Sequence, residues 1–114
     1  MQIETIPNAY PQLTTRMSLT YPFANLCPFS SEPQPPSTLT ISYTAKRCLL
    51  ETKALRHYLE SFAGENTHGV RDLEETAQLI AQTCADALQT QVVVRADYRL
   101  LIGIMEVEVT ATPS

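Results

Sequence analysis

Apolar residues recur at every second position in several stretches of the chain and at helical spacing in two others. From Leu13 to Tyr21 a weak alternation through Leu13, Thr15, Met17, Leu19 and Tyr21 predicts a strand that ends at Pro22. Between Thr38 and Thr44 the alternation is clean: Leu39, Ile41 and Tyr43 face one way, and the threonines and Ser42 the other. Cys27 to Ser37 holds Pro28, Pro33, Pro35 and Pro36, each without a backbone donor, and this predicts a loop. Leu55, Tyr58, Leu59 and Phe62 give a first helix from about Leu50 to Phe62, stopping before Gly64. The polar connection from Ala63 to Arg71 leads to a second helix, capped by Asp72 with Glu75 completing a capping box. Leu73, Ala77, Ile80, Cys84 and Leu88 form its apolar stripe. Gln91 to Tyr98 and Ile104 to Thr112 alternate again, and the short segment containing Gly103 joins them as an antiparallel pair.

The order ββααββ predicts an α+β domain with both helices on one face of an antiparallel sheet. Residues 1–12, with two prolines, Asn8 and no lasting periodicity, read as an extended arm or disordered tail, and residues 13–114 as a single domain. With 114 residues in all, one core is expected, and one copy of so short a chain has little room for a deep cleft. Assembly into a homo-oligomer would supply further walls.

Net charge is −4, and the eight Lys and Arg residues are scattered, which argues against long nucleic acid as a partner. No apolar run approaches the ~18 residues needed to span a bilayer, and the polar start Met1-Gln2-Ile3-Glu4 is unlike a signal peptide, so a cytoplasmic protein away from membranes is expected. Cys27, Cys48 and Cys84 are an odd set outside any Cys-x-x-Cys pair, which predicts reduced thiols. Cys84 on the helix stripe and Cys48 at a helix entrance read as structural. Only two histidines are present, without paired ligand spacing, so no metal site is expected.

Three segments in order, Cys27-Pro28, Ile41-Ser42-Tyr43 and Glu51-Thr52-Lys53-Ala54-Leu55-Arg56-His57-Tyr58, carry a resemblance over roughly residues 19–88. Together they resemble the NADPH-dependent 7-cyano-7-deazaguanine reductase family, nitrile reductases of queuosine biosynthesis in tRNA modification, which share the tunnelling fold with GTP cyclohydrolase I. The resemblance implies a ββααββ unit whose sheets join edge to edge around a barrel, with sites at subunit interfaces. It implies Cys27 as the nucleophile; a thiolate adds readily to an electrophilic carbon such as that of a nitrile, giving a covalent thioimide. Lys53 and Arg56 would meet the phosphates of NADPH, and Leu50, Glu51 and Thr52, together with Leu73 and Glu74, would line the base pocket. Glu74 would hold the ring's N–H edge, since one carboxylate accepts two parallel hydrogen bonds.

The chain departs from the family pattern in two places. The family loop Cys-Pro-x-x-Gly-Gln-Pro-Asp ends on a proton-donating aspartate, whereas Cys27-Pro28-Phe29-Ser30-Ser31-Glu32-Pro33-Gln34 has Gln34 at that offset, leaving Glu32 as the nearby carboxyl. The family histidine before the ring-binding glutamate is replaced by Leu73, while His68 enters from the longer loop between the helices. Three functions follow as alternatives: a nitrile reductase with Cys27 and Glu32 as catalytic residues, an amidinotransferase-like relative whose thioimide is attacked by ammonia or an amine, or a purine-binding protein without turnover.

Overall fold

The computed structural model describes residues 3–27, 31–63 and 68–114. In chain order its elements are β1 (Thr5–Pro7), β2 (Arg16–Pro22), β3 (Gln34–Thr44), β4 (Cys48–Leu50), α1 (Thr52–Glu60), α2 (Leu73–Leu88), β5 (Val92–Arg99) and β6 (Ile104–Ala111). The fold is α+β. Its main sheet runs β2-β3-β5-β6 with every neighbouring pair antiparallel, and a two-stranded sheet joins β1 to β4.

The alternation of β3 decides where the core lies. Leu39, Ile41 and Tyr43 are buried and stand opposite Ala96, Val94 and Val92 of β5, so the inward faces of the two central strands meet side chain to side chain. Tyr98 continues the row and is fully buried. Leu55, Tyr58 and Leu59 of α1 and Ala77, Ile80, Cys84 and Leu88 of α2 belong to the same core cluster, which places both helices on that face of the sheet. The Tyr58 hydroxyl donates to Thr83 Oγ1 at 3.2 Å and pins the helices together. Burial pushes the Cys84 thiol up to about 12, so Cys84 behaves as a small core hydrophobe, as its place on the stripe predicts. On the opposite face, Thr20 meets Thr40 at 2.8 Å and Ser18 meets Ser42 at 3.3 Å.

Several boundaries differ from the sequence reading. Leu50 ends β4 instead of entering a helix, because the Glu51 carboxylate takes the Lys53 and Ala54 amides at 3.0 and 2.7 Å and so starts α1 at Thr52. Residues 34–37, read as loop, are extended. Gln34 pairs with Arg99, the ladder shifts register past the donor-less Pro35 and Pro36, and pairing resumes at Thr38. The N-terminal arm is docked: Ile3 is buried, and Thr5–Pro7 pair with Cys48–Leu50. Asp72 caps α2 through the Glu75 amide at 2.8 Å, but Glu75 reaches back to the Arg71 amide at 2.9 Å, closing the box one residue early. No helix among the described residues is long and apolar enough to cross a membrane.

The two caps, together with Asp86 of α2, whose carboxylate accepts from the Ser114 amide at 2.9 Å, make stability depend on pH. Backbone N–H donors hold the carboxyls of Glu51, Asp72 and Asp86 below their ordinary values. A carboxyl depressed in the folded state stabilises above its unfolded value, ordinarily about 4, and that stabilisation is lost as pH falls through the lowered one. Tm is therefore expected to be nearly level at neutral pH and to fall below about pH 4. Asp72→Ala should lower Tm at neutral pH and flatten the acid slope; thermal melts giving both proteins the same slope would refute the cap assignment.

Candidate functional site

Cys27 sits half-buried in a loop that the backbone closes tightly. The amides of Leu26 and Cys27 both donate to the Glu32 carbonyl, at 3.1 and 2.8 Å, and the Ser31 amide returns to the Cys27 carbonyl at 3.0 Å. Pro28, Phe29 and Ser30, and with them the rest of the Cys-Pro turn, lie outside the described residues. Asn25 and Ser31 flank the loop, each at φ 58°. Asn adopts that conformation readily, whereas it costs a side chain such as that of Ser31 roughly 1–2 kcal/mol, and strain of this sort concentrates at functional sites.

The resemblance places an acid just after this loop, and the structure fills the two candidate positions differently. Glu32 Oε2 accepts from the Leu101 amide at 2.8 Å, tying the Cys27 loop to the β5–β6 turn. That turn closes with the Leu100 amide on the Gly103 carbonyl at 3.0 Å and needs Gly103 at φ 101°, where a side chain would be strained. Gln34 donates from Nε2 to the Ser31 carbonyl at 3.2 Å and so supports the loop backbone from the other side. Ser37, 2% exposed, accepts from the Arg99 amide at 2.8 Å and donates to the Gln34 carbonyl at 2.6 Å, fixing the exit of the loop onto β5.

At the start of α1, Thr52, Lys53 and Arg56 wall a cleft of about 360 Å³ together with Tyr21. Lys53 and Arg56 are exposed, and neither forms an ion pair with a described residue. Cations so placed suit phosphate oxygens, where charge-assisted hydrogen bonds are strong. Glu51 is committed to capping the helix, and Leu50 is 2% exposed in the core with its amide donating to the Tyr43 hydroxyl at 3.0 Å. Of the three residues expected to line a base pocket here, Thr52 alone has its side chain exposed.

A second cleft of about 390 Å³ shares Tyr21 and Arg56 with the first and runs along Pro22, Leu59 and Ala63 to Leu26, the residue before Cys27. Leu73 and Glu74 line neither cleft. Glu74 is exposed in the first turn of α2, where the preceding carbonyl, that of Leu73, accepts from the buried Tyr98 hydroxyl at 3.1 Å. His68 Nε2 lies 2.7 Å from Ser61 Oγ, and its ring stacks on Phe62 with centroids 4.0 Å apart. Burial lowers its pKa, favouring the neutral imidazole. Phe62 in turn meets Phe23 edge-on at 6.2 Å, linking His68 to the segment that leads into Cys27.

The sequence gives Tyr21 and Ser37 no role at the site, and His68, which it brings in from the longer loop between the helices, is placed by its stacking on Phe62. Alternation along β2 puts Tyr21 on one face with Met17 and Leu19, and that was the available signal for it; its partner Thr52 lies 31 positions away. No protein-family model matches the chain, and no curated protein matches it.

Proposed function

We propose that this chain is a nitrile reductase of the 7-cyano-7-deazaguanine reductase family, converting the nitrile to an aminomethyl group. The observation that carries the proposal is the ordered trio Cys27-Pro28, Ile41-Ser42-Tyr43 and Glu51-Thr52-Lys53-Ala54-Leu55-Arg56-His57-Tyr58. The closed loop holding Cys27 supports it, as do Lys53 and Arg56 of α1, which form no ion pair among the described residues. In this reading the Cys27 thiolate forms a bond to the nitrile carbon, the C≡N triple bond becomes a double bond, and the nitrogen takes a proton from Glu32 to give a thioimide. NADPH, held through its phosphates by Lys53 and Arg56, supplies two hydrides. The first breaks the C–S bond in net effect, returning the thiolate and leaving an imine; the second, with a proton, gives the amine. The domain is a tunnelling-fold unit, and its open edges β2 and β6 join those of other copies in a ring.

Glu74 holds the base in this reading, so Glu74→Gln is expected to weaken binding by about 1.5–3 kcal/mol, the worth of a hydrogen bond to a charged group. Titration calorimetry with the nitrile checks this; an unchanged Kd moves the role to another residue.

The replacement of the family aspartate by Gln34, whose amide is turned to the Ser31 carbonyl, favours a second reading in which the thioimide forms but is attacked by ammonia or an amine. Mixing the nitrile with protein and following thioimide absorbance separates both enzymes from a pure purine binder, which forms no covalent adduct. Absence of the band at saturating nitrile would leave only the binder.

A further inference from the structure

We infer that Tyr21 is a ligand-contacting residue, the partition of a two-lobed site that takes a phosphorylated nucleotide with its phosphate on one side and its ring on the other. Two unlike clefts meet at this residue. One is of mixed polarity and carries the cations, with Thr52, Lys53 and Arg56, and the other is mostly apolar, with Pro22, Leu26 and Leu59. Tyr21 and Arg56 are the walls they have in common, so a molecule that fills both crosses the phenol ring. Charge sets the direction of the ligand. Arg56 faces both lobes, but Lys53 lines the polar end alone and Glu60 the other lobe alone, and neither cation forms an ion pair with a described residue, so the balance of charge draws an anion to the Lys53 end.

The position of Tyr21 is built. It is half-buried, and its hydroxyl points to the Thr52 carbonyl in a long contact of 3.4 Å, which sets its ring beside the start of α1. Burial also raises its pKa, so the ring is a neutral phenol at physiological pH. A neutral aromatic ring beside two cations offers a flat, sequence-tolerant surface to a heteroaromatic ring whose phosphate the cations hold. The apolar lobe ends at Leu26, next to Cys27, so a ring lying there approaches the thiol loop. This deepens the cofactor reading and rests on it only for the nature of the ring.

The test uses the whole chain and three probes: ADP and nicotinamide mononucleotide, each with a ring and phosphate, and inorganic pyrophosphate, which has no ring. At least one mononucleotide is expected to bind the wild type. Tyr21→Ala should weaken it by roughly 5- to 100-fold, the usual effect of removing an aromatic stacking partner, while leaving pyrophosphate affinity unchanged. Tyr21→Phe, which keeps the ring, should bind the mononucleotide nearly as well as the wild type, and Arg56→Ala should weaken all probes that bind. Circular dichroism confirms that each variant is folded. Equal nucleotide affinity in wild type and Tyr21→Ala, equal losses for nucleotide and pyrophosphate, or no nucleotide binding by the wild type would overturn the inference. NADPH oxidation by the wild type with the nitrile is scored separately: its absence beside the expected binding pattern removes the reductase and keeps the Tyr21 site, whereas its presence with a silent Tyr21→Ala does the reverse.

Discussion

Cys27→Ala is expected to abolish covalent capture of 7-cyano-7-deazaguanine altogether. Intact mass spectrometry of the wild type mixed with the nitrile should show the mass of one added nitrile per chain, and the variant none. The effect is all-or-none because the bond requires sulfur, and the other thiols are placed against it. Cys84 is fully buried, its thiol held up at about 12, and Cys48 packs with Sγ 3.8 Å from the Ala87 carbonyl on α2. The substitution should be structurally mild, since the Cys27 loop is closed by backbone hydrogen bonds that alanine retains. A variant that labels as fully as the wild type would remove Cys27 from the chemistry.

The second large effect is expected at Glu32. Addition of a thiolate to a nitrile leaves charge on nitrogen that must be protonated, and a positioned acid is ordinarily worth about 10²- to 10⁴-fold. Glu32→Gln is therefore expected to slow adduct formation by about that factor. The amide can still accept from the Leu101 amide that Glu32 Oε2 now engages at 2.8 Å, so the tie to the β5–β6 turn survives while the acid is lost. Glu32→Ala loses both, and the difference between the two variants separates proton transfer from loop support. Stopped-flow absorbance of the thioimide measures the rate. If Glu32→Gln reacts at the wild-type rate while Glu32→Ala is slow, Glu32 is a structural strut and the proton comes from His68 or water.

The parts of the molecule that could be read from the sequence are those whose pattern is set by burial over a whole element. Leu39, Ile41 and Tyr43 alternate because one face of β3 is packed and the other carries threonines, and the stripe through Ala77, Ile80, Cys84 and Leu88 repeats because α2 buries one face. The features missed depend on single contacts between distant segments. Thr5–Pro7 has no periodicity to betray a strand, and its pairing with Cys48–Leu50 rests on tertiary register. The Gln34–Ser37 stretch reads as loop because of its prolines, yet it is extended once Gln34 and Ser37 find partners on Arg99. At the candidate site, Cys27, Lys53 and Arg56 were visible as residue types in an ordered motif. Tyr21 was not, because nothing along β2 reveals that its hydroxyl meets Thr52. Glu51 shows the reverse limit: the motif marks it as a ligand residue, while its position at a helix start makes it the N-cap of α1.

Single-turnover oxidation of NADPH, followed at 1:1 protein and nitrile with excess NADPH, separates a nitrile reductase from a protein that only captures the nitrile. A nitrile reductase oxidises about two NADPH per nitrile consumed, the electron count of a nitrile taken to an amine by two hydrides, with the aminomethyl base released and Cys27 returned unmodified. A thioimide that accumulates on Cys27 while NADPH absorbance stays constant would contradict the reductase reading.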